Sequence, residues 1–336
     1  MKSWLENLKV YSFRHIYIEK EIINNSNTKN ILKHFKNANI IEIDHYKDVF
    51  CRGKQNFLLQ KNCPNLILAR KDGNLIYEGA KVCEDFGNDY FYYTSSIMNC
   101  FYNCEYCYLQ GMYPSANIVI FVNIEDVFDE VKNILKSHPM YLCISYDTDL
   151  LAFENITGFV GKWIEFAKEH KNLKIEIRTK SANFNPIENL EPLNNVILAW
   201  TLSPKEIIEN YEKGTPDLKA RLKSIKNAMN KNWKVRLCFD PLLYVKQWHQ
   251  YYYEFINEIF NYLDENKILD VSIGVFRVSK DYLKKMEKIR PRSKILAYPF
   301  EINEVVCTYS KCHSKELIEF VYKETSKHID KDKIFI

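Results

Sequence analysis

Short apolar and β-branched runs alternate along the middle of the chain with longer stretches whose apolar residues recur every three or four positions. Residues 141–145, 173–180, 196–203, 234–241 and 269–276 are runs of the first kind, and 90–95 and 116–123 extend the series towards the N-terminus. Their length and β-branched content predict strands. Residues 124–138, 156–170, 205–232 and 248–267 carry the helical spacing. Strands alternating with helices imply parallel βα units. About six such units predict an α/β fold built on a partial (β/α)6, TIM-like barrel, since closing eight units needs more chain. Active sites in such barrels gather at the C-terminal ends of the strands.

The pattern differs at both ends. Residues 15–20, 40–44, 65–71 and 75–82 read as strands around a helix at 27–39, a small N-terminal α/β region. After Ser279 the order becomes helix, strand, helix, with amphipathic segments at 281–289 and 315–329 that pack outside the barrel. The expected division is therefore 1–88 for the N-terminal region, 89–279 for the barrel and 280–336 for a C-terminal helical extension.

Composition narrows the class. A chain of 336 residues with 46% hydrophobic content can form one large α/β domain and a smaller one, and 9 glycines and 10 prolines argue against long disordered tracts. The first fifteen residues lack an uninterrupted apolar segment of the signal-peptide kind, and no apolar run reaches membrane-spanning length. A cytoplasmic protein without a membrane partner is expected. There the 10 cysteines suggest metal or redox chemistry instead of disulfides. A net charge of +4 permits nucleic-acid binding without demanding it.

Three of those cysteines, Cys100, Cys104 and Cys107, fall at C-x3-C-x2-C spacing. Three thiolates so close can hold three corners of a [4Fe–4S] cluster and leave one iron open for chemistry. Zinc is the first alternative, although zinc modules add a second cysteine pair or histidines at suitable distance. Three unpaired core cysteines are the second alternative. The stretch resembles the signature of the radical S-adenosylmethionine (SAM) superfamily, with Tyr106 as the aromatic before the last cysteine. The continuation Tyr108-Leu109-Gln110 resembles the spore photoproduct lyase family, and the resemblance runs from about residue 45 to about residue 276.

That resemblance implies SAM chelated at the open iron of a [4Fe–4S] cluster, and an electron donor such as flavodoxin or ferredoxin. It implies a radical carbon–carbon lyase that repairs the methylene-bridged thymine dimer in DNA. Cys143, in a Cys-x-Ser context at a strand end, matches the family's hydrogen-atom donor. A small core residue is the plain alternative. Tyr106 and Tyr108 match tyrosines that return a hydrogen atom to the cofactor, or else pack around the cluster. Ser145, Lys180, Thr201, Ser203 and Asp240 are SAM-pocket candidates at strand ends, and Lys180 resembles the lysine that reaches the SAM carboxylate. Cys307, Cys312 and His313 form a C-x4-C-H pattern for which scattered residues are the better reading.

One departure stands out. The family carries a C-terminal hairpin rich in Gly, Arg and Tyr that holds the lesion open, and residues 301–320 lack that pattern. A related enzyme acting on another nucleic-acid lesion or a nucleotide is thus the second hypothesis. A non-catalytic Fe–S or zinc protein that binds nucleic acid is the third.

Overall fold

The computed structural model describes residues 13–80 and 82–336. The expectation about a leader concerns mainly residues 1–12, which lie outside that range, as does Lys81 in the expected strand 75–82. Among the described residues no helix is long and apolar enough to cross a membrane.

Two sheets organise the molecule. The larger has eight strands, six of them the parallel strands Phe91–Tyr93, Met140–Cys143, Leu173–Thr179, Val196–Thr201, Lys234–Leu242 and Ile268–Val275. Ile334–Phe335 adds a parallel strand at one edge and Tyr77–Glu78 an antiparallel one at the other. Among the described residues the strand order is open, with no pairing between the two edges. This is the expected six-unit partial barrel. Its central strands are largely buried, Val196–Thr201 at every position, as expected where helices cover a parallel sheet. Helix Phe159–Glu169 shows the matching stripe, burying Phe159, Val160, Trp163, Ile164 and Ala167.

The other face of this sheet is polar. Tyr141, Glu176, Arg236 and Asp270 project from four different strands into one buried network. Arg236 Nη1 donates to Glu176 Oε2 at 2.6 Å, Arg236 Nη2 to Asp270 Oδ2 at 2.8 Å, and the Tyr141 hydroxyl to Glu176 Oε2 at 2.6 Å. Buried charges of this kind persist only when each is paired and hydrogen-bonded.

The smaller sheet has five strands in the order Asn39–Ile43, His15–Glu19, Leu66–Ala69, Ile118–Phe121, Ile97–Met98, the first four parallel. Here one expectation is corrected. The run 116–123 is no barrel strand: Ile118–Phe121 pairs with Leu66–Ala69. A four-residue strand buried at every position looks the same in either sheet, so its composition does not announce its partner. The N-terminal sheet thereby draws on residues on both sides of position 88.

Two further departures lie later in the chain. The helical stretch 205–232 breaks into Lys205–Tyr211 and Leu218–Asn230, the second capped by Asp217, whose carboxylate accepts from Ala220 N at 2.7 Å. Between them Glu212–Lys213 pairs antiparallel with Asn103–Cys104. The C-terminal segment holds the expected helices, Lys280–Ile289 and Lys311–Thr325, together with a three-stranded antiparallel sheet of Arg277–Ser279, Val306–Thr308 and Glu301–Asn303.

Candidate active site

The cysteine loop is strung between the two sheets. Thr94 N donates to Cys143 O at 3.0 Å on the barrel side, and Phe121 N to Ser96 O at 2.9 Å on the N-terminal side. The chain then turns at Asn99, whose φ of 69° is left-handed, a conformation Asn tolerates better than most residues. The buried Asn99 amide donates to Ser115 O at 2.8 Å and Asn117 O at 2.7 Å, which fixes the entry to Cys100. Cys104 is held by its pairing with Glu212. Lys61 Nζ donates to the carbonyls of Cys100 and Tyr102 at 2.5 and 3.0 Å.

Burial pushes the Cys100 thiol up to about 12, against the pull of Lys61, and raises Cys104 further, against Lys180. Cys107 lies within electrostatic reach of both. Among the described residues no three His, Cys, Asp or Glu side chains are already gathered at metal-binding spacing. What unites the three cysteines is one loop, mutual proximity and nearby charges of both signs, Lys61 and Lys180 opposed by Asp149 and Glu212. Lys61 and Lys180 favour the thiolate form that a metal ligand needs.

The two tyrosines of the motif occupy different settings. The Tyr106 hydroxyl donates to Glu212 Oε1 in the interior, and Glu212 also accepts from Ser203 Oγ at 2.9 Å and Arg221 Nη2 at 2.5 Å. Burial pushes the Glu212 carboxyl up, but Arg221 and Lys180 outweigh it and hold it at about 2. Tyr106 is thereby an anchor. The Tyr108 hydroxyl donates to Tyr146 O at 2.7 Å and lies 3.3 Å from Asp147 Oδ1.

The pocket candidates separate in the same way. Lys180 Nζ sits 5.4 Å from the centre of the Tyr106 ring, beside Cys104. Its backbone N–H donates to the buried Asp149 at 2.6 Å, which fixes the strand end that carries it. Ser145 Oγ is buried without a hydrogen-bond partner, as is Thr148 Oγ1, and orphaned buried polar atoms at a strand end suit a bound polar ligand. Ser203 is taken up by Glu212. Thr201 is buried, with its carbonyl on Arg221 Nη1 at 3.1 Å. Asp240 is committed to Arg277 at 3.0 Å and lies 3.7 Å from Arg178.

Two thiols border the mouth of the barrel. Cys143 is 7% exposed, 4.0 Å from Glu176 Oε1, and burial pushes it up to about 12, so it stays a thiol. Cys83, without pattern in the sequence, places Sγ 3.8 Å from the Tyr146 hydroxyl. Tyr146 stacks on Tyr93 at 4.0 Å and is 6.3 Å from Tyr108, ring to ring, while Tyr93 stacks on Tyr77 at 5.1 Å. Lys71 joins this aromatic wall, 4.9 Å from the Tyr77 ring, and burial lowers it to about 8. The aromatic composition of 90–93 was the only sequence signal for this wall.

The C-x4-C-H pattern disperses: Cys307 is buried in a strand, Cys312 is exposed, and His313 Nδ1 hydrogen-bonds the Tyr298 hydroxyl at 2.5 Å. A hairpin does occupy 301–308. It exposes Ile302 at 50% in one strand and Val305 at 69% in its turn, and lacks the family's Arg, Tyr and Gly pattern.

Known proteins match this arrangement closely. A curated spore photoproduct lyase from Clostridium acetobutylicum is 23% identical over 295 residues, 84% of each chain. A solved spore photoproduct lyase complexed with dinucleoside spore photoproduct superposes with a TM-score of 0.83 at 17% identity, over 96% of this chain and 98% of that one. A mutant form with bound AdoMet and the same dinucleoside gives a TM-score of 0.82 at 17% identity, over 96% and 97%. The family model described as spore photoproduct lyase matches residues 11–332. With nearly its whole length matched, the chain belongs to the spore photoproduct lyase family.

Proposed function

We propose that the protein is a radical SAM lyase that reverts the methylene-bridged thymine dimer of DNA. One observation carries this reading. A three-cysteine loop is clamped at the C-terminal ends of the barrel strands, beside the Lys180 ammonium, and the unpartnered Ser145 hydroxyl lies just past the end of one of those strands. Cys100, Cys104 and Cys107 would hold a [4Fe–4S] cluster. Lys180 suits the methionine carboxylate of SAM, a compact charge facing an anion. When bound, cluster and SAM supply a 5′-deoxyadenosyl radical.

The chain's own residues then position, shield and return a hydrogen atom. The lesion must leave the base stack to enter, which a damaged base does more readily than an intact pair. The wall of Tyr77, Tyr93 and Tyr146 offers aromatic faces for its pyrimidine rings. After the bridge opens, a thiol gives its hydrogen atom to the product radical and is left as a thiyl radical. The thiyl would regain a hydrogen atom from a tyrosine hydroxyl, which leaves the deficit on that tyrosine, between the thiol and the loop that would hold the cofactor.

Cys143 fills the donor role by its place at a strand end. The Cys83–Tyr146 contact of 3.8 Å favours a second reading, because of Cys83 and Cys143 it is Cys83 that contacts the Tyr146–Tyr108 pair leading back to the loop. The test is anaerobic preparation with iron and sulfide analysis and SAM turnover. About four irons per chain and release of 5′-deoxyadenosine are expected, both lost in Cys104→Ala. SAM turnover surviving that substitution would refute the reading.

A further inference from the structure

The cysteine loop is gripped by two cations from distant parts of the chain. Lys61, from helix Phe57–Asn62, donates to the carbonyls of Cys100 and Tyr102 at 2.5 and 3.0 Å. Arg290, just past helix Lys280–Ile289, donates to Gln110 Oε1 at 2.6 Å and to the side chain of Asn103. Lys61, Arg290, Cys104 and Cys107 line one small cavity. Both cations lie within electrostatic reach of Cys104 and Cys107, and Lys61 of Cys100 as well. Among the described residues no carboxylate forms an ion pair with either, and Glu105 acts on Arg290 only from beyond that distance. Both are partly buried, where such a charge acts at close range with little screening.

Loop geometry alone does not require this pair. A neutral donor such as Gln at either position satisfies a carbonyl or an amide oxygen, and burial of the two charges is unfavourable, lowering the pKa of each. Two cations without an ion-pair partner, facing three thiols, make sense if the loop carries negative charge that grows during turnover. A [4Fe–4S] cluster on three thiolates is anionic and gains one more negative charge on one-electron reduction. Net charge around a cluster is among the levers that set its potential.

We infer that Lys61 and Arg290 are positioning residues that raise the reduction midpoint of the cluster held by Cys100, Cys104 and Cys107. The inference rests on the cluster reading given above and adds which residues poise it. The electron comes from the reductant that drives turnover, a one-electron donor, and the cations only shift the equilibrium of that step.

The experiment is a redox titration of anaerobically reconstituted full-length protein without SAM, followed by the electron paramagnetic resonance of the reduced cluster. Wild type, Lys61→Gln, Arg290→Gln and Lys61→Arg are compared at equal iron content. Each Gln variant should become at least tenfold harder to reduce, a downward midpoint shift of about 59 mV for a one-electron couple. Lys61→Arg should stay within that margin of wild type. Gln variants that bind about four irons yet titrate with wild type would overturn the inference and leave the cluster reading intact. Failure of both Gln variants to hold iron would also overturn it, making the pair a structural clasp. A wild-type protein that takes up no cluster instead defeats the underlying reading.

Discussion

The hydroxyl of Tyr106, the residue just before the third cysteine of the loop, is bound to the carboxylate of Glu212. Glu212 in turn belongs to the two-residue strand that pairs with Asn103–Cys104. Loop and barrel are thus joined twice at one acidic residue, whose charge is matched by Arg221 with both side chains fully buried. Removing one partner of a buried ion pair strands the other, at about 3–5 kcal/mol. Glu212→Gln should therefore destabilise the protein by about that much and lower iron uptake on reconstitution. Tyr106→Phe, which deletes one hydrogen bond, should cost about 1–3 kcal/mol and leave SAM cleavage measurable. Thermal unfolding and iron analysis check both.

The same carboxylate sets an acid limit. Its folded value of about 2 lies below the ordinary 4.5. The stability it contributes is therefore present above about pH 4.5 and is lost as the pH falls towards about 2. Urea midpoints measured across that window should fall steeply for wild type, and the fall should be shallower in Glu212→Gln, which has no proton to take up.

Gly111 bears on the other side of the loop. A Cβ there would meet Tyr282 O at 2.5 Å and Tyr282 Cα at 2.7 Å, backbone that has little room to yield. Gly111→Ala should push helix Lys280–Ile289 off the loop, costing about 1–3 kcal/mol as overpacking does. Arg290 follows that helix and holds Gln110, so the variant should also retain less iron than wild type after reconstitution.

The donor thiol can be assigned by substitution. With Cys83 as donor, Cys83→Ala should still cleave SAM and consume lesion but release abnormal adducts of the product radical, while Cys143→Ala returns mainly normal thymine. The reverse pattern assigns the role to Cys143. Chromatography with mass detection of the products distinguishes them.

The barrel and the cysteine loop were legible in the sequence because both are local. Strand Leu173–Thr179 and helix Phe159–Glu169 carry their own periodicity, and Cys100, Cys104 and Cys107 lie within one short run. What stayed hidden depends on contacts between distant positions. Ile118–Phe121 has the composition of a barrel strand, yet its partner is Leu66–Ala69. Ser203 at its strand end looked available for SAM, yet Glu212, nine residues on, takes its hydroxyl. Cys83 and Lys61 had no motif around them, and only the fold brings one to Tyr146 and the other to Cys100. The hairpin at 301–308 was obscured because its exposed residues, Ile302 and Val305 among them, do not follow the family's Gly, Arg and Tyr pattern.

The most direct test of the central claim is recovery of thymine from a synthetic dinucleoside spore photoproduct. The reconstituted protein is incubated anaerobically with SAM and dithionite, and the products are separated by chromatography. The account predicts conversion of the lesion to two thymine residues, abolished in Cys104→Ala and strongly reduced in Lys180→Ala. Release of 5′-deoxyadenosine with no thymine from the lesion would contradict it and point to a different substrate for the same radical site.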